Sequence, residues 1–254
     1  MQRTLKITLL VLAGLLLAGM AGFLVWANTP LGPSPEALAA MQSSSEGSVS
    51  QESWLVFSPT HQPHQKVGLV LYPGGRVDPR AYAPVAHAIA AAGYLVVIAP
   101  MPLNLAVFNP NAASEILSAY PEIEAWAIGG HSLGGAMAAR YAYQNPEAVQ
   151  GLVLWAAYPA STDDLSGSPL AVTSIYGSLD GVADLQAVTG AGALLPADTS
   201  WTRIEGGNHA QFGWYGAQPA DNPASISAGE QQAQIVAATL ALLERITQAA
   251  SVDK

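Results

Sequence analysis

The chain has 254 residues, 50% hydrophobic and 11% charged, with a formal net charge of -9 and no cysteine. That length and apolar content specify one substantial folded domain and exclude disorder over most of the chain. The acidic balance argues against a general affinity for nucleic acid or anionic lipid headgroups, both of which need clustered Lys and Arg, and the missing thiols exclude disulfides, a cysteine nucleophile and thiolate metal sites.

The first element is the uncharged run Ile7 to Ala27, "ITLLVLAGLLLAGMAGFLVWA". As a helix it spans roughly 31 Å, enough for the hydrocarbon core of a bilayer. It is apolar all round, which a helix packed on a soluble core by one stripe is not. Arg3 and Lys6 precede it and the next 29 positions hold no basic residue, so the positive-inside rule leaves the N-terminus in the cytoplasm and puts the body on the extracytoplasmic side. Residues 1–30 are read as an N-terminal membrane anchor or uncleaved signal. Cleavage near Ala27, after Val25-Trp26-Ala27, is the competing reading and gives a secreted protein. The apolar core exceeds the usual ~7–15 residues of a cleaved signal, which favours the retained anchor.

Residues 31–50 hold prolines and then a Ser/Gly-rich run, and read as an exposed linker. From residue 51 to 254 strand-like and helix-like segments alternate. "SWLVF", "KVGLVLY" (66–72), "YLVVIAP" (94–100), "AWAIGG" (125–130), "GLVLW" (151–155), "AVTSIYG" (171–177) and "SWTRIEG" (200–206) predict strands. The continuous apolar runs among them suit strands buried on both faces. Helices are predicted at 79–93, after Ser132, around 182–195 and over the C-terminal segment, which Ser227 and Glu230 open as a capping box. The pattern predicts an α/β fold: a three-layer sandwich with a mostly parallel sheet and helices on both faces. Residues 156–170 are too few for a large lid domain, so the site is expected to be open unless 103–123 covers it.

The chemistry concentrates in "GGHSLGG". Gly130-x-Ser132-x-Gly134 falls between a predicted strand and a predicted helix. A serine at so sharp a corner is lifted clear of the sheet's carboxyl edge, and the flanking glycines remove side chains that would collide there. Alone the motif is common, so context must carry it. A serine hydroxyl needs a base held by a carboxylate, and His209 in "EGGNHAQFG" is the one histidine downstream. Between them Asp180 in "GSLDG" falls just past a strand. Asp184 is the rival, set aside because it is expected inside the next helix, and Asp163 and Asp164 read as surface charges. An oxyanion hole needs two N–H donors. Leu133, after the serine, supplies one; Gly75 in "YPGGR" is the first choice for the other and Gly74 the alternate.

"YPGG", "GHSLGG", "GSLDG" and "GGNHAQFG", in this order, resemble the α/β-hydrolase superfamily, specifically its dienelactone-hydrolase-like branch, over about residues 51–250. Many members have His-Gly where this chain has Tyr72-Pro73, and dienelactone hydrolases proper use a cysteine where this chain has Ser132. The resemblance implies the fold and acyl-transfer chemistry.

Together these readings predict a serine hydrolase of carboxylic esters: Ser132 nucleophile, His209 base and acid, Asp180 orienting acid. The partner is a small-molecule ester or acyl substrate, and the chemistry requires no cofactor and no metal. An amidase, thioesterase or perhydrolase would use the same triad, and a catalytically silent binding domain would keep the fold. Each residue also has a plainer use: Ser132 as a helix cap, Asp180 as a turn former, His209 as a packed loop histidine. His131 reads as structural or pocket-lining, and His61, His64 and His87 as loop or helix-surface residues. Phe212, Trp214 and Tyr215 either pack the domain's edge or line an apolar substrate pocket. The acidic body disfavours anionic substrates unless Arg76 and Arg80 act locally.

Overall fold

A computed structural model of the chain describes residues 2–45, 47–60 and 65–252. His61 and His64 lie outside the described residues. Alternation along the central strands explains the layers. In β3 (Val67–Tyr72), Leu69 and Leu71 enter one apolar cluster while Val70 and Tyr72 enter the other, so both faces of the strand are buried. The same holds for β4 (Leu95–Ile98), β5 (Ala125–His131), β6 (Gly151–Trp155) and β7 (Ala171–Gly177), each of which feeds both clusters.

With β1 (Gly47–Gln51), β2 (Leu55–Pro59) and β8 (Ser200–Ile204) these strands form one sheet of order β1-β2-β4-β3-β5-β6-β7-β8. The β1–β2 and β2–β4 pairings are antiparallel, and every pairing from β4 through β3 to β8 is parallel. The helix α3 (Ala83–Ala91) and the long C-terminal helix α7 (Ala228–Val252) cover one face. On the other face lie α4 (Ala112–Ala119) and α5 (Leu133–Gln144). The three-layer α/β sandwich with no large extra domain is therefore the observed architecture. Its consequence for function is directional: six neighbouring strands run the same way, so the loops after β3 to β8 all emerge at one carboxyl edge.

Three sequence expectations change. Strand β1 was not expected, because Val49, paired with Phe57, is the one large apolar residue in "GSVSQ". An edge strand needs one partner and so leaves little hydrophobic signal. The stretch expected as an exposed linker instead lies against the body. Leu31 bridges Val77, the Ser34 N–H donates to the Trp214 carbonyl (2.7 Å), and the short helix α2 (Pro35–Ala39) buries Ala37. The helix expected over 182–195 is only α6 (Leu185–Gly190) and a following 3₁₀ turn. Asp184 caps it rather than lying inside it, its carboxylate accepting from the Gln186 N–H at 2.9 Å. The capping box of α7 is present, with Ser227 and Glu230 bonded reciprocally.

The N-terminal helix α1 (Gln2–Ala27) is long and apolar enough to cross a membrane, and its apolar window is exposed along its length. Only its carboxyl end meets the body.

Candidate active site

Every residue singled out for chemistry stands at the carboxyl edge. Ser132 is the junction of β5 and α5, at φ 53° and ψ -123°. This is a strained conformation for a residue with a Cβ, costing about 1–3 kcal/mol. Its N–H donates to the Trp155 carbonyl at 2.9 Å. Although it occupies the position before the first turn of α5, its side chain makes no capping hydrogen bond. The plain use of a serine there, as a helix cap, is thus not the one adopted. The corner requires Gly134: a Cβ at that position would run into the Tyr72 and Pro73 carbonyl oxygens.

Asp180 and His209 are joined. The His209 Nδ1 and Asp180 Oδ2 atoms are 2.8 Å apart, and both side chains are buried. The other Asp180 oxygen accepts from the Val182 and Ala183 N–H groups at 2.8 and 2.7 Å, so one carboxylate both forms the turn and orients the imidazole. The use of Nδ1 leaves Nε2 as the ring's available nitrogen. His209 is brought beside the strand that ends at Ser132: its ring centre is 4.4 Å from that of His131, the residue before Ser132.

The loop carrying His209 is pinned from two sides that the motifs do not reveal. Asp221 accepts from the Gly181 N–H (2.9 Å), the His209 N–H (3.3 Å) and the Ala210 N–H (2.7 Å), so it ties the acid's loop to the histidine's loop. Gln231 on α7 holds the backbone of Asn208 at both its N–H (3.0 Å) and its carbonyl (2.8 Å). In sequence Asp221 is one more acid between prolines in "QPADNPAS"; only the three-dimensional convergence of backbone N–H groups distinguishes it.

The two candidate oxyanion glycines separate. The Gly74 N–H donates to the Tyr82 hydroxyl at 2.9 Å, and that hydroxyl also meets His131 Nδ1 at 2.9 Å. Gly74 is therefore engaged and buried. Gly75 is half-exposed, packs beside Leu133, and its N–H makes no hydrogen bond to a described residue. Leu133, the first residue of α5, points a free N–H from the helix's amino end. Burial, and next the adjacent His209, push the His131 pKa well below the usual histidine value, so His131 is a neutral packing residue.

A cavity of about 380 Å³ opens beside Ser132, lined by Leu133, Ala136, Ala156, Ala157, Tyr158, Ala160, Val182 and Ala183. Phe212, Trp214 and Tyr215 are not among its lining, which corrects the pocket reading of that cluster. Phe212 stacks on His131 (5.5 Å between ring centres, 11° between planes), Tyr215 packs behind them, and Trp214 lines a separate cavity with Ser34 and Gln211. Phe212 and Tyr215 thus bury their rings against the imidazole of His131 rather than facing the cavity. Asp163 is likewise not a surface charge: it is buried and paired with Arg140 at 3.2 Å. His87 is half-buried, its Nε2 3.2 Å from the Ser44 hydroxyl. Arg76 and Arg80 do not face the cavity as free charges. Arg80 pairs with Asp78 at 2.7 Å, and Arg76 holds the end of α1. Among the described residues no group of His, Cys, Asp and Glu side chains is arranged to hold a metal ion.

A family model described as "Alpha/beta hydrolase family" matches residues 68–233. The match singles out no branch of that family. A structure from work on LipS and LipT, two metagenome-derived lipolytic enzymes, is similar at a TM-score of 0.55 and 14% identity, over 72% of this chain and 95% of that one. The esterase domain of a Rhodothermus marinus protein also aligns at TM-score 0.55 and 14% identity, over 74% of this chain and 91% of that one. A predicted CIB-like hydrolase from Thermoplasma acidophilum aligns at 0.52 and 15%, over 75% and 95%. At these identities the likeness is one of fold. No curated protein matches the sequence.

Proposed function

The chain belongs to the alpha/beta hydrolase family, and from that premise we propose that it is a serine hydrolase cleaving carboxylic esters through an acyl-enzyme intermediate. The observation that carries this reading is Ser132 in a strained conformation with an uncommitted side chain, next to the buried Asp180–His209 pair. Binding alone does not call for three such residues from three strand ends.

In the proposed reaction Ser132 Oγ attacks the acyl carbon while His209 Nε2 takes its proton. The negative oxygen that develops is held by the Leu133 and Gly75 N–H groups, aided by the amino end of α5. The tetrahedral species collapses, the bond to the alcohol oxygen breaks, and His209 gives its proton to that leaving group. Water then attacks the acyl-serine; His209 accepts its proton, the acid departs, and the serine regains a hydrogen. Asp180 stays ionised throughout and stabilises the imidazolium through Nδ1. No cofactor enters. The cavity wall is mostly alanine with Tyr158 and Val182, which favours an apolar acyl chain over a charged one.

The same reading takes α1 as a retained anchor with the catalytic domain on the extracytoplasmic side. Arg3 and Lys6 before the span support the orientation. Retention is supported by the body's grip on the helix end: Asn104 donates to the Ala27 carbonyl at 2.9 Å and Arg76 to the Trp26 carbonyl at 2.8 Å. The mass of the protein recovered from a membrane fraction tests retention.

The test of the reaction is a fluorophosphonate probe followed by peptide mapping. Labelling is expected at Ser132 alone, lost in Ser132→Ala, with hydrolysis of 4-nitrophenyl esters lost in parallel. A folded protein that takes up no label would overturn the assignment.

A further inference from the structure

The carboxyl end of α1 does not trail away from the domain; it is bolted to the edge that carries the candidate active site. Arg76, next to Gly75, donates from Nε to the Trp26 carbonyl (2.8 Å) and from Nη2 to the Thr29 carbonyl (2.6 Å), and its guanidinium carbon stands 4.3 Å from the Trp26 ring centre. Asn104, in the loop after β4, donates to the Ala27 carbonyl, and the Asn104 carbonyl accepts from the Arg76 N–H at 2.8 Å. The last carbonyls of a helix have no partner within it, so these two side chains complete the helix while fixing its direction against the body. Arg76, Leu103 and Asn104 all hold positive φ (56°, 54° and 55°). Non-glycine residues adopt that conformation only where their surroundings impose it.

A second contact lies one helical turn back along α1. The Phe108 ring is 6.4 Å from the Phe23 ring in an edge arrangement, and Phe23 precedes Ala27 by four residues, or about 6 Å of helix rise. Phe108 thus sits at the level of a residue inside the apolar span, not beyond it. It is 51% exposed and its neighbour Val107 is 46% exposed, although the domain buries comparable side chains elsewhere. Two more of the body's exposed large apolar residues, Tyr158 and Val182, stand on the Ser132 cavity. Leu38, Tyr143 and Trp201 are exposed elsewhere on the body, but Val107, Phe108, Tyr158 and Val182 form the share of its exposed apolar surface that lies at the cavity or against α1.

We propose that the bilayer into which α1 inserts also receives Val107 and Phe108, so that the mouth of the Ser132 site lies at the lipid surface and its substrates are long-chain acyl esters resident in that membrane. The occupant follows from continuity: a loop packed against Phe23 within the span meets the lipid that surrounds Phe23. Trp26 and its cation partner Arg76 then fall at the interfacial level where indole rings concentrate. The short apolar cavity with no lid domain fits an ester presented end-on from a surface, because the membrane itself excludes water from the mouth. This inference rests on the serine hydrolase reading for its substrate and, for its location, only on the reading of α1 as a retained anchor.

Two measurements separate those claims. The chain has no cysteine, so Phe108→Cys and, at the opposite sheet edge, the exposed Glu147→Cys each give a single labelling site. With a polarity-sensitive fluorophore attached, the full-length protein is reconstituted in phosphatidylcholine vesicles containing doxyl-labelled lipid. A blue-shifted label quenched by the lipid is expected at 108, and a water-like, unquenched one at 147. A label at 108 that stays water-like, or that is shielded without lipid quenching as a second copy of the chain would do, overturns the proposal. In the second measurement, Val107→Ser/Phe108→Ser is assayed on a fluorogenic long-chain acyl ester in the same vesicles and on soluble 4-nitrophenyl acetate. Vesicle-borne hydrolysis is expected to fall about tenfold, with the soluble ester and fluorophosphonate labelling unchanged. Equal losses on both esters, or no loss on either, refute the substrate claim. Absence of labelling in the parent chain, with lipid quenching intact at 108, refutes the hydrolase reading and leaves the membrane placement standing.

Discussion

At the amino edge of the sheet a cavity of about 640 Å³ is lined by Glu124, Glu147, Gln150, Asp198, Arg245 and their neighbours; at the carboxyl edge the cavity beside Ser132 holds about 380 Å³. Size points to the first and chemistry to the second. The non-glycine residues with positive φ make the distinction sharper. Arg76 follows β3, Leu103 and Asn104 follow β4, Ser132 follows β5, Ala156 follows β6, and Ala220 adjoins Asp221 in the loop that holds His209. All six lie on the carboxyl side of the sheet. At about 1–3 kcal/mol each, such conformations persist only where the surrounding structure over-determines them. The amino edge carries ordinary turns and solvated charges. Concavity without strain or oriented polar groups is a packing outcome, whereas strain gathered at one edge of a parallel sheet marks where the fold is under a constraint other than its own stability.

The comparison breaks first at the serine. Ser132→Ala is expected to lower kcat/KM for a soluble ester at least about 10⁴-fold, and Asp180→Asn by about 10⁴-fold, since the amide would fix the imidazole in the wrong tautomer. Ser132→Gly should lose activity equally yet unfold about 1 kcal/mol later, because glycine tolerates φ 53° without strain. Denaturant titration of that variant separates a strained functional corner from a merely sharp one.

How far the carboxyl edge could be read without coordinates follows from the same contrast. Strands buried on both faces, such as "VGLVLY" and "GLVLW", write their role into consecutive apolar residues, and their shared direction then fixes the edge. Ser132 and Asp180 stood out as candidates because each follows such a strand, whereas His209 follows the largely exposed edge strand β8 and stood out as the one histidine downstream of Ser132. Asp221 did not, because its function is to receive N–H groups from Gly181, His209 and Ala210, and no local pattern encodes a meeting of three backbone segments. Residues 31–45 were misread for a related reason: proline and serine describe a chain without regular structure, which says nothing of whether it is docked. Phe212 and Tyr215 were read correctly as a cluster, but burial beside His131 rather than exposure to substrate is a property of the fold around them.

Glycine substitutions sharpen the edge contrast next. Gly134→Ala would press a methyl group into two backbone carbonyls, of Tyr72 and Pro73, that the sheet holds in place, and a loss of about 3 kcal/mol in unfolding free energy is expected. Gly151→Ala, where β6 starts at the amino edge, meets the terminal carbon of the Ile246 side chain, which can rotate away; about 1 kcal/mol is expected there. Equal costs would mean that the two edges are equally rigid. Asp221→Ala tests rigidity through function: its removal frees the His209 loop, and kcat should drop about 100-fold with KM little changed, because misplacement of the base affects the chemical step. Asp221→Asn, which keeps an oxygen acceptor, should recover most of that loss.

Acid provides a smaller probe of the same edge. Burial holds the His131 pKa well below its unfolded value. Such a group is neutral in the folded chain and binds a proton on unfolding, so its contribution to stability is complete above the unfolded pKa of about 6.5 and is lost as the pH falls below it. The slope for this one site approaches about 1.4 kcal/mol per pH unit. Denaturation curves between pH 7 and 5 should show this slope in the parent chain and a shallower one in His131→Gln. A parallel pair of curves would mean that the ring is not kept neutral by its burial between Phe212, Tyr82 and His209.

The smallest expected effect is the one that most directly tests the opening contrast. Arg245 and Asp198 pair at 3.3 Å on the rim of the larger cavity, with side chains 38% and 73% exposed. Solvent screens such a pair almost completely, so Asp198→Ala should change stability by no more than about 0.5 kcal/mol. Hydrolysis of a soluble ester should be unaffected, since the substitution lies at the far end of β8 from His209. Filling the same cavity from its wall with Ala249→Trp should also spare catalysis, whereas Ala157→Trp beside Ser132 should abolish turnover of any ester larger than an acetate. If the two tryptophans had the opposite effects, the larger cavity would be the functional one and strain at the carboxyl edge would need another cause.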